Sequence, residues 1–557
     1  MRENNVRNLL LTMYTPYMTT SNLIRHITGF TGSNAIVVLS LDDKHYFFTD
    51  PRYDIQAEKE LNGGLFRIHT CVAFTKIFEY MKESGIDRIH YISDITPYTM
   101  VEGVAQGYCI PTDGSDILGD LIECDKQEVY VYREKFSGDS YKLKIARVLR
   151  ELLKNNQEFK EDSVFLITSV ENISWLLNIR DADDHNTVPA VLGKVLLFGD
   201  ASLTVFIEGD FIDSSLDHEL HSDPDINFVN KEDFNQQLNN SLFYDVTTIM
   251  CTDVRDKGQH INDPITRLRA IKSHVEIANF IHIHTIDSFV LTDFLLNYIN
   301  LGTYSEMSAS EHLLSLRSAH KLFIGNSFVS ISACNGSSAS IHYHPTKGKD
   351  KKVDRGVYLL DSGGHYLGGT TDVTRTILVG QYDVSEHFKQ HATRLLQGFI
   401  DMHTCVFPCG TSGKVLDVLS RAPLWRLEYN YPHGTGHGIG NYLNVHEGPC
   451  GFSSSTELQA NMVLTIEPGF YCSGKYGIRM ENVVFVKECG NGWLKFEPLT
   501  WVPIDLRMFH LNTLSKEQLL WLSWYTREVL KRNSKLGLSG NAIQVLLSDL
   551  ETISLII

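Results

Sequence analysis

The sequence predicts a mixed α/β (α+β) protein built as three successive α/β units. Three observations carry this. The chain has 557 residues, and at about 150 residues per domain that is too long for one ordinary fold. In the first third, short β-prone runs alternate with turn clusters and helical patterns. Near Asn262-Asp263-Pro264 the pattern changes to a long helical segment. The sequence shows no solenoid-length repeat and no low-complexity tract.

In order, Ala35-Ile36-Val37-Val38-Leu39 and His45-Tyr46-Phe47-Phe48-Thr49 predict paired strands across the turn Asp42-Asp43-Lys44. Asp50-Pro51-Arg52-Tyr53 opens a helix with Pro51 in its first turn, where a missing N–H is no loss. A second unit is expected to begin near Ile122. It has a charged helix over Tyr141 to Lys154, a strand over Val164 to Ile167, and apolar runs Val188 to Phe198 and Leu203 to Ile207. Gly209 to Asn240 is acidic and polar and reads as loop with weak strand. The third unit opens with one helix from Ile265 to about Asn300, followed by a helix over Ser308 to His320. From Ser327 the chain is β-rich with glycine turns, and helical character returns from Ser515 to about Arg532. The expected domain limits are therefore 1–121, 122–262 and 263–557.

Apolar residues make up 43% and charged residues 21%, with a net charge of −17. An average globular composition excludes extensive disorder, and the negative charge repels nucleic-acid backbones. The run Lys347 to Lys352 is broken by Asp350 and reads as a solvated turn. The ten cysteines contain no Cys-x-x-Cys pair, so neither a disulfide framework nor a structural zinc site is expected. No secretory h-region and no stretch near the roughly 20 apolar residues of a membrane span is present. A cytoplasmic protein with no nucleic-acid or membrane partner is expected.

The chemistry is concentrated between Ser340 and Val486. Val357 to Leu360 ends in Asp361, and Asp372 precedes the β-prone run Val373 to Val379. Glycines 363, 364, 368 and 369 lie between them, so the two aspartates should lie side by side on adjacent strands. Met462 to Ile466 ends in Glu467, and Ile478 to Val486 carries Glu481, as a second such pair. Four carboxylates directed into one apolar sheet repel each other and lose hydration. Two divalent cations resolve that, and carboxylate oxygens with one imidazole suit manganese, cobalt, iron or zinc. His437, in the glycine loop His433-Gly434-Thr435-Gly436-His437-Gly438-Ile439-Gly440, is the candidate imidazole. That loop has no Gly-x-Gly-x-x-Gly register, and Gly410-Thr411-Ser412-Gly413-Lys414 has the wrong spacing for a phosphate loop.

These motifs, with Ile341-His342-Tyr343-His344-Pro345 and Asn444-Val445-His446-Glu447-Gly448-Pro449, resemble the pita-bread metallopeptidase superfamily of aminopeptidases and prolidases. The resemblance is greatest to the long, three-domain Xaa-Pro aminopeptidases. It implies that Asp361, Asp372, His437, Glu467 and Glu481 are ligands of two metal ions, manganese first, with Asp372 and Glu481 bridging. Gly29-Phe30-Thr31-Gly32-Ser33 and Phe48 to Tyr53 resemble the family's first creatinase-like domain, and Asn172 to Arg180 its second. Pro498 to Ile504 resembles the start of the C-terminal extension, about 500–557. Residues 1 to 20 depart from the family, whose opening helix is barely visible there.

The resemblance implies hydrolysis of the N-terminal Xaa-Pro bond of peptides with proline second, and a homodimer assembled through the extension. Glu467 is then both ligand and proton acceptor. His342 contacts the peptide, His433 shapes the proline pocket, and His446 stabilises the carbonyl oxygen. Arg479, two residues before Glu481, should share its strand face and orient carboxylates, and Tyr471 resembles a tyrosine near the metals. Glu447 and His344 receive no role, although His344 would share the face of His342 in a strand. The alternatives are a prolidase restricted to Xaa-Pro dipeptides, a metal-free creatinase, and a non-catalytic pita-bread binding protein. The three-domain layout argues against the first and the complete ligand set against the others. The apolar ending Ser554-Leu555-Ile556-Ile557 favours burial.

Overall fold

A computed structural model describes residues 1, 5–13, 18–41, 44–70, 75–92, 96, 109–112, 117, 127–182, 187–212, 219–237, 242–244, 258–346 and 348–557. It is a mixed α/β structure, as expected. The turn residues Asp42 and Asp43, the junction at 121 and 122, and Lys347 lie outside the described residues. The chain divides into two compact units: Met1–Tyr132, Asp139–Asp183 and Ala190–Ile265 form one, and Arg133–Gly138, Asp184–Pro189 and Thr266–Ile557 the other.

The first unit contains two six-stranded mixed sheets. In one, Ile36–Ser40 pairs antiparallel with His45–Thr49, with Ile36 opposite Phe48. The helix after it is Asp54–Glu60, so Pro51 stands in the preceding turn rather than in the helix. Asp50 explains this: its carboxylate accepts the Arg52 backbone N–H (3.0 Å) and guanidinium (2.8 Å), closing a turn that ends at Tyr53. The other sheet centres on Val164–Ile167, flanked by Gly193–Phe198 and Leu242–Tyr244. The helix Tyr141–Asn155 starts where Ser140 caps it. The segment read as loop and weak strand also holds a helix, Lys231–Gln236, capped by Asn230.

In the second unit the expected long helix is divided. Pro264–Ala270 ends at a bridge between Ile271 and Met462, and His274–Asp293 starts anew behind a capping box of Ser273 and Glu276. Glu306–Ser318 is the following helix. A three-stranded antiparallel sheet joins Ile331–Cys334, Gly356–Ser362 and Val373–Val379. A six-stranded sheet runs Val406–Pro408, Trp493–Pro498, Asn482–Gly490, Val463–Ile466, His437–Gly438 and Glu447–Gly451. The large apolar core is built on helices Glu386–Thr404, Gly413–Trp425 and Lys516–Ser534.

Arg375, 2% exposed, ties the two sheets together. It donates to the carbonyls of Thr374 (2.9 Å), Glu481 (2.6 Å), Val502 (2.9 Å) and Pro503 (2.9 Å). A final helix, Gly540–Ser554, is not visible in the apolar patterning used above. Leu555 is 82% exposed, against the burial expected of the chain end, although Ile553 is buried and Ile556 packs on the core. Among the described residues, no helix is long and apolar enough to cross a membrane.

Candidate metal centre

The two expected carboxylate pairs form where paired strands end. Asp361 lies opposite Thr374 in the three-stranded sheet, and Asp372 is two residues before Thr374. In the larger sheet Ile466 faces Asn482, which leaves Glu467 and Glu481 just past the last pair. The strand read as Ile478 to Val486 is broken, however. Tyr476–Arg479 belongs to a two-stranded ribbon with Gly469–Cys472, and Asn482–Gly490 belongs to the six-stranded sheet. Met480 and Glu481 cross from one to the other. The Glu481 N–H donates to the Thr374 carbonyl (3.0 Å), and the Thr374 hydroxyl donates to Glu481 Oε2 (2.8 Å). The four carboxylates therefore come from two sheets, not one.

Atoms of Asp372, His437 and Glu481 lie within 4.8 Å of one another, as a metal ion requires of its ligands. His437 Nε2 is 3.5 Å from Asp372 Oδ2 and 3.5 Å from Glu467 Oε1. Its Nδ1 lies 2.9 Å from the Gly438 carbonyl, which can only accept. Nδ1 is thus the protonated nitrogen, and the Nε2 lone pair faces the carboxylates. The glycines beside His437 are sterically required. A Cβ at Gly436 would collide with the Thr465 carbonyl, and one at Gly438 with that of Glu447.

Burial and the neighbouring carboxylates hold Asp372 and Glu481 well above the usual carboxylate range. Asp361 is buried, and one of its oxygens, Oδ1, has no hydrogen-bond partner. Its Oδ2 accepts from Arg479 Nη2 at 2.5 Å. An orphaned buried carboxylate oxygen, an imidazole lone pair and two carboxyls strained toward neutrality together fit hard divalent cations.

Arg479 bonds a carboxylate, Asp361, and does so from outside the strand expected to hold both Arg479 and Glu481. It ends the Tyr476–Arg479 strand and reaches Asp361, the Thr374 hydroxyl (3.2 Å) and the Tyr471 hydroxyl (2.8 Å). Burial opposes its charge, but Tyr471, Asp361 and Glu467 outweigh that and hold it well above its ordinary range. The Tyr471 hydroxyl, pushed up to about 12 by burial, donates onward to His433 Nε2 at 2.9 Å. His433 Nδ1–H is held by the Gly434 carbonyl, 2.8 Å away. A single chain of bonds thus joins His433, Tyr471, Arg479 and Asp361.

His446 is exposed, with its ring centroid 4.1 Å from that of His437. The adjacent Glu447 is buried and ion-paired to Lys272 and to Arg269 (3.2 Å). His342 lies half-buried in a turn after the short helix Asn335–Ala339. Because 341–346 is turn and coil, His342 and His344 share no strand face.

Sequence reasoning missed Thr374, Thr465 and Lys272. Thr465 accepts the His437 N–H (3.0 Å) and lies 3.4 Å from Glu467 Oε1. Both threonines stand two residues from a carboxylate, so strand alternation was the available signal. Lys272, 175 residues from Glu447, gave none.

Comparisons with known proteins agree with this architecture. The family described as Metallopeptidase family M24 matches residues 278–488, and its C-terminal region matches 492–544. The Creatinase/Prolidase N-terminal domain matches twice, at 1–118 and 123–276. A probable Xaa-Pro aminopeptidase P of Aspergillus flavus is 32% identical over 548 residues, covering 90% of this chain and 83% of that protein. Xaa-Pro aminopeptidase 1 of Dictyostelium discoideum is 30% identical, with coverages of 90% and 86%. Among solved structures, an X-prolyl aminopeptidase from Caenorhabditis elegans superposes with a TM-score of 0.87 at 26% identity, covering 98% of this chain and 95% of that one. It is described as a cytosolic enzyme with a di-nuclear active site.

Proposed function

The chain belongs to metallopeptidase family M24, and we propose from that premise that it is an Xaa-Pro aminopeptidase, releasing the first residue of peptides whose second residue is proline. The observation that carries this reading is the convergence of Asp372, His437 and Glu481 beside the half-satisfied Asp361. In it, Asp361, Asp372, His437, Glu467 and Glu481 hold two divalent ions, with manganese the first candidate. When bound, such ions acidify a water and polarise the scissile carbonyl.

The protein's own groups do the rest. Glu467 accepts the proton of the attacking water. His446, exposed beside His437, donates to the carbonyl oxygen as charge develops on it. His433, fixed by Gly434 and Tyr471, forms one wall of a proline pocket, and His342 contacts the peptide. Proline suits a shaped pocket because its fixed φ lowers the ordering loss on binding.

The domain limits 1–121, 122–262 and 263–557 belong to this reading, as do a cytoplasmic location and a homodimer. The family matches support the first limit and put the second nearer 276, and the cytosolic relative supports the location. Exposed Leu520, Trp524 and Leu547 in the C-terminal helices, with Leu555 just after the last of them, support the dimer, which sedimentation would test. The deciding assay compares Xaa-Pro with Xaa-Pro-Xaa under manganese. Cleavage of the tripeptide and longer chains is expected, whereas hydrolysis of the dipeptide alone identifies a prolidase. Metal analysis separates both from a binding protein, which would retain no ions.

A further inference from the structure

Arg375 is a fully buried cation whose contacts named above are all carbonyls, and its remaining contacts lead into the C-terminal region. Its Nη2 donates to Asn482 Oδ1 (2.8 Å) and to the Tyr525 hydroxyl (2.9 Å), 150 residues away. Tyr525 lies on the helix Lys516–Ser534, with its ring stacked against Trp501 (centroids 5.5 Å apart) and Trp521 (5.0 Å). Having accepted from Arg375, the hydroxyl turns its single proton toward the carbonyls of Thr500 and Val502, both 3.1 Å away, and Asn482 Oδ1 at 3.3 Å. The Asn482 amide is held from the other side by His403 Nε2 at 3.1 Å, while His403 Nδ1–H donates to the Phe399 carbonyl (2.8 Å).

The segment so gripped is the one that carries Glu481. Arg375 binds the Glu481 carbonyl, Asn482 is its neighbour, and Thr374 holds its N–H and its carboxylate. Glu481 sits in the two-residue crossing between strands, where no ladder fixes the backbone. Its backbone is therefore held by Thr374 and Arg375, and Tyr525 is one of the six groups that hold Arg375 in turn.

We propose that Tyr525 is a positioning residue for the metal centre, so that the C-terminal region helps to build the site rather than only packing against it. This rests on the reading of Glu481 as a ligand. A partner of a ligand is worth about 10- to 100-fold in metal affinity, and Tyr525 acts one step further out, so the lower end applies.

The test is calorimetric titration of manganese into chelator-stripped full-length protein. Tyr525→Phe, which keeps the stacked ring, should weaken manganese binding about tenfold and lower kcat at saturating metal with little change in KM. Arg375→Lys, which cannot span Tyr525 and the Glu481 carbonyl together, should do the same and serves if the first variant folds poorly. Val529→Ala, buried on the same helix, should lower Tm and leave metal affinity unchanged. If Tyr525→Phe, or Arg375→Lys where the first variant folds poorly, binds manganese like the wild type, or if Val529→Ala weakens binding equally, the positioning role is wrong. Glu481→Ala separates the two levels: wild-type binding there would overturn the ligand assignment itself, whereas loss there with normal binding in Tyr525→Phe overturns only the role of Tyr525.

Discussion

Two arginines, both 2% exposed, show how the two units use buried charge differently. Arg180, in the first unit, donates to the carbonyls of Ser174 and Ile179 (both 2.9 Å), six residues and one residue away, with its guanidinium 4.4 Å from the Tyr132 ring. Both of these carbonyls belong to its own segment. Arg375, besides the carbonyl of its neighbour Thr374, reaches partners 106 to 150 positions away, and the segment it grips carries Glu481. Arg479 behaves likewise, reaching Asp361 across 118 residues. Burial of a charge is thus a poor sign of a functional site in this protein. Convergence of distant carboxylates is a good one, because only a compensating ligand or cation makes their mutual repulsion tolerable.

The largest effect should come where carboxylates converge. Asp372→Ala or Glu481→Ala should abolish peptidase activity together with bound metal, measured by turnover and elemental analysis of the same preparations. Wild-type turnover in either variant would break the comparison outright. Next, His446→Ala should keep both ions and lose about 10²–10³ in kcat. A parallel fall in metal content would make His446 a ligand instead.

Arg180→Met tests the other side of the comparison. It removes the guanidinium from two buried carbonyls and should destabilise the first unit by about 3 kcal/mol in a denaturant titration. The kcat of the protein that remains folded should not change, and a specific loss of kcat would show that this arginine also serves the site.

A change that leaves the site untouched sharpens the rule for a single buried group. His284, 1% exposed, gives Nδ1–H to the Phe280 carbonyl (2.9 Å), while Nε2 has no partner. Burial lowers its pKa from 6.5 to about 4. The unfolded chain therefore binds the proton first on acidification. The stability His284 contributes is present above pH 6.5 and is lost as pH falls toward 4, by about 1.4 kcal/mol per pH unit. His284→Leu should flatten that part of the Tm–pH curve, whereas an unchanged slope would assign the acid sensitivity elsewhere.

What was legible in the sequence follows the range of the interactions. Strands such as Val164–Ile167, and the positions of Asp361 and Glu467 at strand ends, are local patterns of apolar runs punctuated by acids and glycine. The breaks were not legible. Apolar spacing runs through Ile271 to Ser273, but a capping box and a bridge to Met462 end one helix and start another there. Ile478 to Val486 reads as one strand, yet the Thr374 and Arg375 bonds pull Glu481 out of it. Pro51 looked like a helix opener until the Asp50 carboxylate claimed Arg52 for a turn. In each case a partner supplied by the fold overrode a valid local preference.

The ion pair of Glu447 with Lys272 and Arg269 has a consequence for how this sequence can change over time. All three side chains are at most 4% exposed, so losing Glu447 takes from Lys272 and Arg269 the carboxylate they share away from water, while replacing all of them together by apolar groups is far less damaging. Drift at Glu447 should then be coupled to drift at Lys272 and Arg269 despite the 175 residues between Lys272 and Glu447. Divergent relatives should carry the trio intact or have exchanged it as a set, and single-member changes should be rare among functional chains.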